Sequence, residues 1–243
     1  MKMITKKTMN QTHPDFQSGE VILIDKPAFW SSFKVVHKVR QTIGVKKVGH
    51  AGTLDPFATG LLILCTGNKT KEITKYQELK KTYTGVITLG KYSDSMDTET
   101  EINEYPIADD LTDEKIINAT KKFIGEIEQV PPMYSAIKKA GKSLYAYARK
   151  GRTVEREPRK VIVYKFVVNK IQMPEIHFTI ECSKGTYIRV IADDFGKSLG
   201  TRAMLTSLRR ISIGDYSVEE ALQVNEFVEK FNLKQNINSE LLN

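Results

Sequence analysis

Cysteine is nearly absent from this chain of 243 residues: Cys65 and Cys182 are the only two, each inside a strand-like apolar run. Two isolated thiols supply neither a disulfide framework nor a zinc site. They read as buried thiols in a reducing cytosol, so the expected location is cytoplasmic. Histidine is sparse too, and His13, His37, His50 and His177 are scattered without metal-ligand spacing. Long apolar runs are missing. Nothing approaches the roughly 18–20 residues that cross a bilayer, which argues against a membrane-spanning helix. Residues 1–18 are polar and basic with no apolar h-region, so they read as a flexible leader and not as a secretory signal. Internal repeats and low-complexity linkers are also lacking.

What the chain does have is charge, unevenly placed. Its formal net charge is +8, yet Tyr92–Glu128 carry eleven Asp/Glu against three Lys, a net of −8. Pro131–Lys165 then carry ten Lys/Arg against two Glu, a net of +8. Adjacent blocks of opposite sign give one surface that repels a polyanion and one that attracts it. Taken alone, the basic block is equally well a merely soluble surface.

The densest punctuation lies at Gly49–Gly60, where three glycines and one proline enclose His50, Asp55 and two threonines. Such a stretch turns tightly and is neither helix nor strand. A loop so constrained can hold one carboxylate in a fixed direction, which a catalytic acid, base or nucleophile requires. An Asp-Pro pair by itself is equally a plain turn.

Around this loop the pattern alternates between strands and helices. Glu20–Asp25 is a buried strand that stops at Lys26–Pro27, where proline lacks a ladder donor. Ser31 or Ser32 caps a helix with apolar positions Phe33, Val36, Val39 and Ile43, closed by Gly44. Leu61–Cys65 is a strand, and Lys81–Gly90 alternates as a half-buried one does. Thr66–Thr70 faintly resembles a phosphate loop, but the glycine spacing is wrong and Asn68 intrudes before Lys69, which rejects an NTPase. Ser93–Asp110 reads as a long exposed acidic loop, and Leu111–Ile124 has helical periodicity. Val130–Pro132 is a hard break.

Met133–Gly151 interleaves tyrosines with cations, among them Lys138, Lys139 and Lys142, with Ser143 and Gly151 bracketing a short helix. Rings that stack on unpaired bases and cations that meet phosphates suit nucleic acid. A surface helix burying its tyrosines would read the same. Lys160–Lys170 and Ile176–Ser183 are strands, and Lys184–Arg189 turn into a helix ending near Gly200. Leu208–Arg210 open a last strand, and Ser217–Glu220 form a capping box for a closing helix. Strands and helices mix without a strict βαβ rhythm, so the fold class is α+β. From the residues alone, the pattern suggests an RNA-binding protein with one fixed carboxylate, and it identifies no reaction.

Gly49–Gly60 is similar to the signature loop of the tRNA pseudouridine-55 synthases, in which the Asp of the Leu-Asp-Pro triplet is catalytic. Leu23–Pro27 resembles the opening motif of that family, and Lys81–Thr82–Tyr83 the segment that supplies its active-site tyrosine. Gln129–Gly151 resembles its RNA-gripping insertion, Cys182–Arg189 the motif carrying its arginine, and Leu208–Arg209–Arg210 its last core motif. The matches occur in order from about Gly19 to Tyr216.

The resemblance implies a pseudouridine-synthase-like α+β core with a mixed, largely antiparallel central sheet flanked by helices. It implies a catalytic domain over 19–216, with a basic insertion at about 129–159, followed by a helix and tail over 217–243. Many bacterial members carry a PUA-like RNA-binding domain beyond that point, for which 217–243 leave no room. Asp55 would be the nucleophile that breaks the glycosidic bond of a T-arm uridine in tRNA. Arg189 would pair with it, and Tyr83 would stack on the base and relay the C5 proton. Tyr187 and Leu208 would wall the pocket, and His50 would steady the extruded nucleotide or its loop. Lys26 would support the loop or a phosphate, while Lys138, Lys139 and Lys142 would grip the RNA. The reaction conserves every atom, so it calls for no cofactor and no metal. The implied partner is tRNA, with no membrane and no obligate protein partner. A non-catalytic RNA-binding or tRNA-folding module on the same fold is the alternative.

Overall fold

A strand buried on both faces needs an unbroken apolar run, and the run after Gly19 supplies one. The computed structural model describes residues 3–11 and 13–232. Its first elements are β1 (Val21–Lys26), α1 (Ser32–Ile43), β2 (Val48–His50), β3 (Thr59–Thr66), α2 (Ile73–Glu78) and β4 (Lys81–Leu89). Next come β5 (Lys91–Tyr92), β6 (Asn103–Glu104), α3 (Asp113–Thr120), β7 (Gly125–Gln129), β8 (Lys138–Lys139), β9 (Lys142–Ser143) and α4 (Leu144–Ala148). The chain continues through β10 (Arg159–Gln172), β11 (Glu175–Cys182), α5 (Ile188–Ser198) and β12 (Ala203–Ile213). It then forms β13 (Tyr216–Ser217), β14 (Leu222–Gln223) and α6 (Val224–Phe231). The expected domain over 19–216 is built as two compact units. One comprises the described residues up to Thr82 and from Arg209 onward, the other Tyr83–Leu208.

In the first unit the strand order is β14–β1–β3–β12, with β2 on β3. The pairs β1/β14 and β3/β12 are parallel and β1/β3 is antiparallel. One face of β1 sends Ile22 and Ile24 against α1 and against Phe227 and Phe231 of α6. The other sends Val21 and Leu23 against Tyr76, Ile213 and Val218. Ser31 caps α1 by accepting from the Lys34 N–H at 3.0 Å, and Gly44 ends it at φ 67°. The buried stripe of that helix runs through Val35, Val36, Val39 and Ile43, while Phe33, expected among them, is exposed. Apolar spacing alone accommodates either residue, and packing against β1 selects Val35.

Two expectations at the ends are corrected. Residues 3–11 are not a loose leader: Ile4 is fully buried and bridges Ile22, with hydrogen bonds Ile4 N to Val21 O and Leu23 N to Ile4 O. Burying one isoleucine contributes about 1.5–3 kcal/mol, enough to hold a short segment down. Ser217 caps only a 3-10 turn, Val218–Glu220. The closing helix α6 begins at Val224, behind a capping box made by Gln223 and Glu226. The expected tail beyond Asn232 lies outside the described residues.

In the second unit the order is β12–β4–β11–β10–β7. The alternation read in β11 matches its burial, with Ile176, Phe178, Ile180 and Cys182 inward. Phe166 and Phe195 meet at 5.3 Å between ring centres, and α5 thereby seats on the sheet. β12 begins at Ala203, five residues before the expected Leu208. The acidic segment is not the exposed loop its composition suggests, since Ser93, Ser95 and Asp97 are buried in it. The Met133–Gly151 stretch holds the small β8/β9 hairpin and α4, which Ser143 caps. No helix among the described residues is long and apolar enough to cross a membrane.

Candidate active site

The loop between β2 and β3 is fastened on both sides of Asp55, and the fastenings come from side chains far off in sequence. Ser32 Oγ accepts from the Leu54 N–H at 2.9 Å and donates to Leu54 O at 3.2 Å, so residue 54 is pinned by one hydroxyl. On the other flank Pro56 O accepts from the Phe29 N–H at 2.7 Å and from Lys26 Nζ at 3.2 Å. Arg210 reaches both ends of the turn, donating to Gly52 O at 3.1 Å and Leu61 O at 2.8 Å. Gly60 follows with φ 109°, so close to β12 that a Cβ would lie 2.3 Å from Arg210 O. With residues 54 and 56 both fixed, the Asp55 carboxylate has little freedom left beyond its own rotamers.

Lys26 and Arg210 are among the largest fully buried side chains of the molecule. Lys26 Nζ also donates to Pro27 O at 2.9 Å and Trp30 O at 2.6 Å. Burial lowers its pKa from 10.5 to about 8, against the pull of the Asp55 carboxylate. A cation whose folded pKa is depressed costs stability at low pH, and the cost fades between the folded and unfolded values. Wild-type protein therefore gains stability relative to Lys26→Met as pH rises from about 8 towards 10.5. Urea midpoints across that range measure it, and a gap that does not change with pH would contradict it.

Asp25, one residue before, is gripped by both guanidinium nitrogens of Arg209 at 3.0 and 2.7 Å and by Gln223 Nε2 at 3.0 Å. His50 Nε2 lies 3.2 Å from Thr53 Oγ1, inside its own loop. Burial first, and the charge of Arg210 second, push its pKa down, which favours a neutral ring. Lys26, His50 and Asp55 are thus brought together in the first unit.

The remaining expected residues belong to the second unit. Arg189 is buried at the start of α5, donating to Ser95 O and Tyr134 O, each at 2.8 Å. Its guanidinium lies 3.4 Å from the fully buried carboxylate of Asp97. Asp97 in turn accepts from the Glu99 N–H at 2.9 Å, and Ser93 Oγ donates to its carbonyl at 2.6 Å. Gln129 holds the Tyr187 peptide from both sides, accepting its N–H at 2.9 Å and donating to its O at 3.2 Å. Tyr83 and Leu208, the first and last residues of the unit, are both buried. Tyr145 donates to Glu99 Oε1 at 2.6 Å and stacks edge-on with Tyr134. Lys139 Nζ meets Glu155 O at 2.6 Å, and Lys138 and Lys142 are exposed.

Ser32, Arg210 and Asp97 are the functional side chains that sequence reasoning missed. Ser32 was legible only as a cap, and Arg210 only as part of a motif. Asp97 sits among exposed acids that look the same in sequence.

In class, this fold with an aspartate so fixed is that of a pseudouridine synthase. A chain of the crystal structure of a Cbf5–Nop10–Gar1 complex is similar to it with a TM-score of 0.70 and 26% identity, over 92% of this chain and 57% of that one. The protein thus spans little more than half of that solved chain. Residues 40–188 match the family model described as TruB family pseudouridylate synthase (N terminal domain). The tRNA pseudouridine synthase B of Flavobacterium johnsoniae is 46% identical over 225 residues, which cover 90% of this chain and 98% of that protein. That of Chloroherpeton thalassium is 46% identical over 227 residues, covering 91% and 93%. The chain belongs to the TruB family of pseudouridylate synthases.

Proposed function

We propose that the protein isomerises uridine 55 of the tRNA T-arm to pseudouridine, with Asp55 as the attacking carboxylate. The double fastening of residues 54 and 56 is the observation that carries this reading, since it aims one acid in a loop of matching sequence. The kinship to proteins named tRNA pseudouridine synthase B supports the substrate.

In the reaction the C1′–N1 bond breaks, the uracil turns over, and C1′ bonds to C5. C5 gives up its proton and N1 gains one, so the product is an isomer of the substrate. Arg189 takes the role of charge partner to the catalytic aspartate that the family resemblance implies. Tyr83 stacks on the uracil and relays the C5 proton, Tyr187 and Leu208 wall the pocket, and neutral His50 steadies the loop that accepts the flipped nucleotide. Flipping costs a few kcal/mol, offset by stacking and phosphate contacts.

Incubation with unmodified tRNA followed by chemical mapping of pseudouridine tests the reading. A single modified T-arm position is expected, and tRNA binding with no pseudouridine would overturn it. The basic insertion supplies grip and not chemistry. Reversing charge at Lys138, Lys139 and Lys142 together raises KM for tRNA about tenfold or more, with a far smaller change in single-turnover rate. An unchanged KM would remove the insertion from the RNA interface.

A further inference from the structure

Beside the loop, two aromatic rings stand in solvent where neither the core nor the proposed chemistry uses them. Phe29 is 83% exposed and Phe33 66%. Phe29 has φ 62°, a left-handed conformation that a bulky side chain rarely adopts and that is kept only when its surroundings impose it. Here the imposing contact is its N–H bond to Pro56 O, which ties Phe29 to the peptide that follows Asp55. Trp30, next in sequence, is partly buried and carries the Lys34 ammonium 4.2 Å from its ring centre.

The face around these rings is basic. The solvent side of α1 shows Phe33, Lys34, His37 and Gln41, with Lys38 half-buried, and the helix contains no acidic residue. Exposed rings beside cations, with no carboxylate among them, form a surface for unpaired bases joined by phosphates. A folded protein partner would call for a broader apolar patch with charges displaced to its rim.

We propose that Phe29 and Phe33 are stacking platforms for unpaired bases of the RNA next to the target uridine, with Lys34 and Lys38 on the intervening phosphates. This rests on the reading of the Asp55 loop as the site of uridine modification. It makes the start of α1 a second RNA-contacting surface besides the basic insertion.

Phe29→Gly is the informative variant, because glycine accepts φ 62° without strain while the ring is lost. The dissociation constant for unmodified tRNA is measured over a series of salt concentrations, alongside Tm. Phe29→Gly and Phe33→Ala are each expected to weaken binding about tenfold, with the effect on KM and not on kcat. Tm of Phe29→Gly should equal or exceed that of wild type. The slope of log Kd against log salt should stay unchanged, since no phosphate contact is removed. Phe33→Tyr should restore affinity. Wild-type binding by both ring-deleted variants, or a loss of affinity accompanied by lowered Tm in both, would overturn the inference. The outcome is separable from the reading it rests on. Ring-independent binding with intact pseudouridine formation removes only the platforms, and ring-dependent binding without pseudouridine removes only the isomerase.

Discussion

Asp55→Asn is expected to lower the single-turnover rate of pseudouridine formation by at least about 10⁴-fold, as loss of a nucleophile does. Affinity for tRNA should stay within a few-fold of wild type. The prediction separates chemistry from folding because the fastenings of the loop do not touch the Asp55 side chain. Ser32 holds the main chain of Leu54, Lys26 and Phe29 hold the carbonyl of Pro56, and Arg210 holds Gly52 and Leu61. An isosteric amide leaves all of these in place but cannot supply the carboxylate charge. The same substitution removes the Coulombic support that Asp55 gives Lys26, so the Lys26 pKa should fall below its present value of about 8. A variant that keeps pseudouridine formation within tenfold of wild type would show that another group does the chemistry.

Asp97→Ala is expected to destabilise the protein by about 3–5 kcal/mol, the usual cost of removing one member of a buried ion pair. Asp97 is fully buried 3.4 Å from Arg189, and the loop around it is built to present it: Ser93 Oγ takes its carbonyl and the Glu99 N–H takes one carboxylate oxygen. Without that carboxylate the guanidinium keeps Ser95 O and Tyr134 O but loses the Asp97 charge. Activity should therefore fall even where the variant remains folded. Asp94→Ala, at an exposed position three residues away, is the control and should change stability by less than about 0.5 kcal/mol. Urea unfolding of the two variants decides the matter. Equal midpoints would mean that the Asp97 carboxylate does not stabilise the buried arginine.

How far the sequence carries depends on whether a feature is local. The loop was legible because its glycines and proline sit within twelve residues, and β1 because an unbroken apolar run has few other uses. The strand–helix rhythm yielded the fold class for the same reason. Asp97 was not legible. Its burial is fixed by an arginine ninety-two residues later, and its neighbours Asp94, Glu99 and Glu101 look alike in composition. Arg209 and Arg210 point in opposite directions along a strand, one to Asp25 and one to the loop, and alternation cannot say which is which. Phe33 failed for a different reason. Helical spacing fits it or Val35 equally well, and only packing on β1 decides.

The reach of Arg210 also sets an order of events during synthesis. Its contacts to Gly52 and Leu61 span 158 and 149 residues, and the whole second unit, Tyr83–Leu208, is translated in between. At about 5–20 residues per second, a ribosome needs roughly 8–30 s to cover that distance. Through this interval the second unit emerges as one continuous stretch and is free to fold on its own. The Asp55 loop, already outside the tunnel, still lacks the guanidinium that joins its two ends. The Ser32, Lys26 and Phe29 fastenings can thus form early, whereas the Arg210 clamp between Gly52 and Leu61 closes only after Tyr83–Leu208 has been made.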